Sequence, residues 1–313
     1  MICKICENNI GDDKRYKVKE NMFGYEEFFD YYLCSNCSCL QLSFPPDNIQ
    51  KYYSSDYYTQ AETQNKPGRI KRFFYITRSA AAQTFLYNIA NLINKRSILV
   101  LIHYGNIKFN SKILDIGCGN GSMLYDFLHY GYRNLTGIDP FLKEELTSPQ
   151  LKLFRKKIFE MSGKYDVIIF NHTFEHIREQ DRTLNKAAEL LEENGVIIIS
   201  QPVLNFAFEK YGECWIQLDA PRHFFIHSGK SMNILCRRHN LKIEKVFFNS
   251  TDFQFLGSEQ IKKGIPLTAD NSYKVNFNKS IFSPEDVKKY RKSAERLNRE
   301  GRGDQAVFFL RKR

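Results

Sequence analysis

"KILDIGCGNGSMLYDFLHYG", Lys112 to Gly131, is the stretch on which the reading of this chain turns. Ile113 and Leu114 make a short apolar strand that ends in an acid, Asp115. A glycine loop follows, with Gly117, Gly119 and Gly121, and then a helical run through His129 that Gly131 can terminate. Glycines adopt positive φ and let the backbone approach a ligand closely, while the helix behind them offers free amides at its N-terminus. This is the turn of a nucleotide-type site in an α/β protein. A second strand, "NLTGID", ends in Asp139, 24 positions after Asp115, where a carboxylate commonly grips a ribose diol.

The dinucleotide fingerprint places its third glycine three residues after the second; here only two separate Gly119 from Gly121, so that fingerprint is broken. Asp115 beside the loop would repel a pyrophosphate. It suits a cationic ligand such as S-adenosylmethionine, with its ammonium and sulfonium groups.

Farther on, "NHTFEH" (Asn171–His176) contains His172-x-x-Glu175-His176, the letters of an inverted zinc-protease motif. That chemistry needs both histidines on one continuous helix. Asp166 to Phe170, "DVIIF", reads instead as a strand, which leaves His172 in the turn past its end and Asn171 beside it at the carboxyl edge of the sheet. Glu175 and His176 then start the next helix, either capping and orienting it or bounding a ligand pocket.

"ILDIGCGNG", "LTGID", "YDVIIFNHTFEHI" and "LLEENGVIIISQP" follow one another over Lys112 to Pro202 as in class I S-adenosylmethionine-dependent methyltransferases, which this chain resembles. The resemblance implies a Rossmann-like, seven-stranded α/β sheet with its last strand antiparallel. It also implies that Asp115, Gly117 and Gly119 hold the methionine part of the cofactor, with Cys118 and Gly121 in the same loop, and that Asp139 binds the ribose. Ile158 and Phe159 fall where the adenine is flanked, and Asn171 and His172 bound the pocket. Asp181 to Glu193, with Asn194-Gly195 as its stop, reads as a helix before the buried strand "GVIIIS". "LKIEKVFF" and "QAVFFLRK" supply strands six and seven, and Ser283-Pro284 starts a basic amphipathic helix between them.

"FEKYGECWIQLDAPRHFFIHSGKS", inside an acceptor loop at about 205–230, is similar to a segment of bacterial methyltransferases that modify surface polysaccharides and other sugars. A hydroxyl acceptor needs a base, and a neutral imidazole suits that role near pH 7. His223 is the first candidate and His172 the second; the alternative for His223 is a hydrogen bond that orders the loop. Arg222 can bind an anionic group of the acceptor through its planar fork, and Trp215 is either core or a sugar platform.

Cys3-x-x-Cys6 and Cys34-x-x-Cys37, separated by 27 residues, form a four-thiolate set of the kind that closes a structural zinc site. Four sulfurs leave no open position for water, so catalysis lies elsewhere. These pairs, with "LQLSFPP" and a tyrosine-rich segment, resemble the N-terminal zinc module of sugar C-methyltransferases, but the chain stops at its last strand, which turns the expectation toward a sugar hydroxyl. The layout expected is a zinc module over 1–66, a helical connector over 67–110 carrying Phe73, Ile76, Ala80, Phe85, Ile89 and Leu92 inward, and a methyltransferase domain over 111–313.

Longest apolar runs such as Val196–Ile199 fall far short of a membrane span, and the polar, cysteine-bearing start lacks a secretory pattern, so a cytoplasmic protein is expected. Of the net charge of +11, the last 53 residues contribute 14 Lys+Arg against 6 Asp+Glu, either a solvated face or a site for an anionic partner. The expected reaction is methyl transfer to a small anionic or sugar-containing acceptor. RNA methylation is the alternative, although the Asn/Asp-Pro-Pro motif of adenine N6 enzymes is absent after strand four. A non-catalytic cofactor-binding protein fits less well, because both acids and the glycine loop are present.

Overall fold

The computed structural model describes residues 2–10, 14–53, 68–84, 87 and 97–313. Most of the tyrosine-rich segment, and Phe85, Ile89 and Leu92 of the expected connector, lie outside the described residues.

Strand β4 (Lys112–Ile116) runs parallel to β5 (Asn134–Ile138) on one side and to β8 (Tyr165–Asn171) on the other. β7 (Leu151–Phe154) continues the parallel set beyond β5, and β9 (Leu191–Pro202) continues it beyond β8. β12 (Gln305–Lys312) lies antiparallel between β9 and β11 (Leu241–Phe248). This is the expected sheet with its antiparallel last strand. An eighth, two-residue strand, β6 (Leu146–Thr147), pairs antiparallel with β7 at the far edge.

Parallel strands covered on both faces read as continuous apolar runs, and successive side chains enter different cores. Leu114, Ile168, Phe170, Ile197 and Ile199 join one buried cluster, whereas Ile113, Val167, Ile169, Val196 and Ile198 join the other. Helices Ser122–His129 and Gln180–Leu190 cross between the parallel strands. The first begins at Gly121 (φ +82°) and is followed by Gly131 (φ +105°), so the glycines read as start and stop signals occupy left-handed backbone.

Two local readings differ. The Gln180–Leu190 helix ends sooner than expected, and Asn194-Gly195 lies inside β9. Tyr165 pairs with Leu191 and Val167 with Val196, so the extra residues bulge out of the ladder where a helical stop was expected. In the connector, Arg69–Ala82 is helical, but Phe73 and Ala80 point to solvent. The buried face is Tyr75, Ser79 and Ala82, because Tyr75 stacks on Tyr130 at 4.9 Å and the Ser79 hydroxyl donates to the Tyr132 oxygen at 3.1 Å.

Strands β1 (Lys14–Lys19), β2 (Phe28–Leu33) and β3 (Leu40–Leu42) form a second, antiparallel sheet. Its fourth strand, β10 (Phe225–Ile226), comes from the loop after β9, with Phe225 opposite Gln41 and Ile226 opposite Leu40. The N-terminal segment and the expected acceptor loop therefore share one sheet, and the N-terminal cysteines belong to the same buried cluster as β4 and β9. Among the described residues no helix is long and apolar enough to cross a membrane.

Candidate active site

At the carboxyl edge of the parallel strands a cavity of about 980 Å³ opens. Its walls at the sheet edge include Gly117, Gly119, Asp139, Phe141, Ile158 and Phe159. Asp139 closes the glycine loop, its carboxylate accepting from the Gly119 amide at 3.0 Å and from the Phe141 amide at 2.8 Å. Asp115 is buried behind the loop, and its Oδ1 has no hydrogen-bond partner. Burial, together with the charge of Asp139, pushes the Asp115 carboxyl up to about 8. A buried acceptor without a donor is costly to maintain unless a ligand supplies one.

The loop residues divide by direction. A side chain on Gly119 (φ +55°) would meet open space, so this glycine leaves the cavity floor as bare backbone. A Cβ on Gly117 would come within 2.3 Å of Thr173 Cγ2, which packs the loop against the turn after β8. Cys118 turns away from the cavity toward Gly137, and Gly121 backs onto Leu153. Asn171 ends β8 without lining the cavity, whereas His172 lines it at a left-handed φ of +51°.

That φ also disposes of the zinc-protease letters. His172 lies in the turn and Phe174–His176 is a short 3-10 turn, with the next helix starting only at Gln180. The two histidines do not share a helical face. Glu175 and His176, expected to start and cap that helix, instead turn inward and line the cavity.

Its other end is built from that turn, the loop after β9 and the N-terminal segment. Tyr53, Gln217, Asp219, Phe224, Leu267 and Lys274 line it with Glu175, His176 and His223. His223 is buried, its Nδ1 donates to the Gln217 carbonyl at 2.7 Å, and its Nε2 lies 3.7 Å from Asp219 Oδ2. The same residue thus has both features weighed from the sequence: it orders the loop through one nitrogen and offers the other. Burial and the neighbouring His223 hold His176 down to about 4, so its ring is neutral. Glu175 is 1% exposed and neither carboxylate oxygen has a hydrogen-bond partner; the nearest cation-forming group is His172 Nδ1, 3.5 Å from Oε1.

Two expected acceptor contacts are absent from this cavity. Arg222 is fully buried: Nε and Nη2 donate to Asp219, Nη2 also to Glu20 Oε1 at 3.1 Å, and Nη1 to the Tyr52 carbonyl at 3.1 Å. Its planar fork is spent on joining the N-terminal segment to the loop. Trp215 is core, its Nε1 donating to Asp304 Oδ2 at 3.0 Å. Four cations do reach the cavity wall, Lys156, Lys157, Arg178 and Lys274, and burial holds the Lys274 ammonium below its ordinary range.

The model of the methyltransferase-domain family matches residues 78–246, more than half of the chain. The chain belongs to this family. Residues 78–246 are accordingly a methyltransferase domain. Over 112 residues the chain is 27% identical to a ubiquinone biosynthesis O-methyltransferase of Pelagibacter ubique (strain HTCC1062), covering 33% of this chain and 45% of that protein. The chain thus spans less than half the length of that relative. Similar solved structures include a cyclopropane synthase from Mycobacterium tuberculosis, 16% identical with a TM-score of 0.41 over 65% of this chain and 78% of that one. A sarcosine dimethylglycine methyltransferase from Galdieria sulphuraria is 15% identical, with a TM-score of 0.44 over 72% and 87% of the two chains.

Outside this domain the four N-terminal thiols also converge. One sulfur from each of Cys3, Cys6, Cys34 and Cys37 lies within 4.8 Å of the others, with Cys3–Cys37 at 3.6 Å and Cys6–Cys34 at 3.5 Å. The Gln41 amide donates to Cys3 Sγ at 2.9 Å and the Ser228 hydroxyl to the Cys37 carbonyl at 2.8 Å, which ties the cluster to both β3 and the acceptor loop. The residues that the sequence reading undervalued are Glu175, His176 and Asp219. Glu175 and His176 stood in plain view in "NHTFEH", and Asp219 in "LDAPRH", but only the folded loop brings them onto one wall.

Proposed function

We propose that this methyltransferase transfers its methyl group to an oxygen of a small polar acceptor held between the sheet edge and the loop at 205–230. The observation that carries this reading is the partnerless buried Oδ1 of Asp115 behind an open glycine floor, beside one cavity that both Gly119 and His223 line. Bound S-adenosylmethionine supplies an electrophilic methyl group on sulfur. Asp115 takes the donor end of the methionine part, Gly117 and Gly119 give it backbone, and Asp139, already fixed by two amides, has lone pairs left for the ribose. Ile158 and Phe159 are the apolar walls for the adenine. Cys118 and Gly121 serve the loop by packing, and Asn171 and His172 by shaping the edge.

At the far end the acceptor hydroxyl meets the free Nε2 of His223, and the oxygen–carbon bond forms as the carbon–sulfur bond breaks, the sulfur keeping the electron pair while the hydroxyl proton leaves. His172, whose Nδ1 lies 3.5 Å from Glu175 Oε1, is the second candidate for that proton. Lys156, Lys157, Arg178 and Lys274 support an anionic acceptor such as a phosphorylated sugar, and the name of the Pelagibacter relative supports oxygen as the atom methylated. The four thiols fit a structural zinc, which would staple a small sheet with little core of its own and, through Ser228, the acceptor loop.

The test is the purified protein with labelled S-adenosylmethionine against a panel of nucleotide-sugars, phosphorylated metabolites, phenols and RNA. Methyl transfer to a hydroxyl of one of the first three supports the reading; transfer to RNA alone overturns it. Metal analysis of the same preparation should find one zinc per chain that is lost on Cys34→Ser plus Cys37→Ser.

A further inference from the structure

Three side chains that line the cavity together have the composition of a metal centre. One ligand atom from each of Glu175, His176 and His223 lies within 4.8 Å of the other two. Glu175 is buried and neither carboxylate oxygen has a hydrogen-bond partner, with His172 Nδ1 3.5 Å from Oε1. His176 Nδ1 is 3.0 Å from the Arg222 carbonyl and His223 Nδ1 is 2.7 Å from the Gln217 carbonyl. A carbonyl only accepts, so each Nδ1 carries a hydrogen, and a neutral ring held this way has its lone pair on Nε2. Metal-ligating imidazoles are commonly oriented this way, by a carbonyl on the nitrogen opposite the ion. The three residues come from separate places, the turn after β8 and the loop after β9, and both turns are held by independent bonds: the Phe224 amide donates to the Glu175 carbonyl at 2.9 Å, and the Tyr31 hydroxyl to the His223 carbonyl at 2.8 Å.

We propose that Glu175, His176 and His223 bind a divalent first-row transition-metal ion at the acceptor end of the cavity. Two imidazoles and one carboxylate select such an ion over magnesium or calcium, which favour oxygen donors throughout. Three protein ligands leave coordination positions open to the cavity, as a catalytic site requires and the four-thiol cluster does not. The proposal rests on the reading that the acceptor oxygen sits here. An ion at this place lowers the pKa of a hydroxyl that reaches it, and the proton passes to water while the oxygen attacks the methyl carbon. His223 is then a ligand, and the free-base role applies only to protein without the ion.

Manganese(II) separates these outcomes, because thiolates select softer ions and the zinc cluster would not exchange for it. The full-length, zinc-loaded protein is titrated with manganese chloride and free Mn²⁺ is followed by electron paramagnetic resonance. One bound ion per chain is expected, and Glu175→Gln and His223→Ala should each weaken it by about tenfold or more. Glu175→Gln is nearly isosteric, and a matching thermal transition shows that it has folded. An undiminished free-ion signal overturns the proposal, as does binding that neither substitution weakens. Calorimetry with S-adenosylhomocysteine on the same samples tests the methyltransferase reading separately: wild type that binds the cofactor product but no Mn²⁺ sinks only the metal centre, and wild type that binds Mn²⁺ but no S-adenosylhomocysteine sinks only the assigned reaction.

Discussion

Replacing Arg222 with methionine should destabilise this protein rather than blunt its recognition of an anion. The guanidinium is fully buried and shares its hydrogens among Asp219, Glu20 and the Tyr52 carbonyl. Glu20 is itself fully buried, and its carboxylate also receives the amides of Met22, Phe23, Gly24 and Tyr25. Methionine fills much of the volume but strands two carboxylates, and breaking a buried pair from one side costs about 3–5 kcal/mol. At about 2–4 °C per kcal/mol for a chain of this size, the thermal transition should fall by roughly 10 °C. The sign with pH follows from Asp219. Burial pushes its carboxyl up, but the Arg222 guanidinium outweighs that and holds it well below the usual range. Stability gained from a depressed carboxyl is present above its unfolded pKa of about 4 and is lost as pH falls through the folded value. The gap between wild type and variant should therefore be full at pH 7 and shrink below pH about 4. Urea unfolding at several pH values measures it. A loss under about 1 kcal/mol at pH 7, with a raised acceptor KM, would refute the structural role and restore Arg222 as a clamp.

Two further outcomes concern the cofactor loop. With Asp115 near 8 in the free protein, most of its carboxylate is lost between pH 8 and pH 6, so S-adenosylhomocysteine should bind about fifty-fold more weakly at pH 6, while the ligand ammonium only gains charge over that interval. Isothermal titration checks this, and a flat profile would show that no such carboxylate is used. Gly117→Ala adds a Cβ 2.3 Å from Thr173 in left-handed backbone, a strain of about 1–2 kcal/mol before the clash, and should cost tenfold or more in cofactor affinity. Gly163→Ala, also at positive φ but facing open space, is the control and should leave affinity unchanged in the same titration.

The centre of the sheet was legible because β4, β8 and β9 carry apolar runs, and because Asp115, the glycines and Asp139 sit at strand ends where sequence position alone fixes their place, whereas the two-residue β6 carries no such run. Phe73 and Ala80 misled because several registers of a helix carry apolar residues, and only tertiary contact with Tyr130 and Tyr132 selects the face of Tyr75 and Ser79. Arg222 misled for a different reason. An arginine in a loop looks free until its partners are known, and Glu20 lies some two hundred residues away, on a segment whose sheet is completed by the loop itself. The same long-range pairing hid the Glu175–His176–His223 cluster, since a pattern along the chain cannot show that a turn after β8 and a loop after β9 meet.

Titration calorimetry of S-adenosylhomocysteine into wild type and Asp139→Ala tests the cofactor assignment most directly. One site per chain is expected in wild type, with Asp139→Ala weakening it by about 1–3 kcal/mol through lost charge-assisted bonds to the ribose and a loosened Gly119 amide. Heat from NAD with none from S-adenosylhomocysteine, or equal affinity in the two proteins, would contradict it.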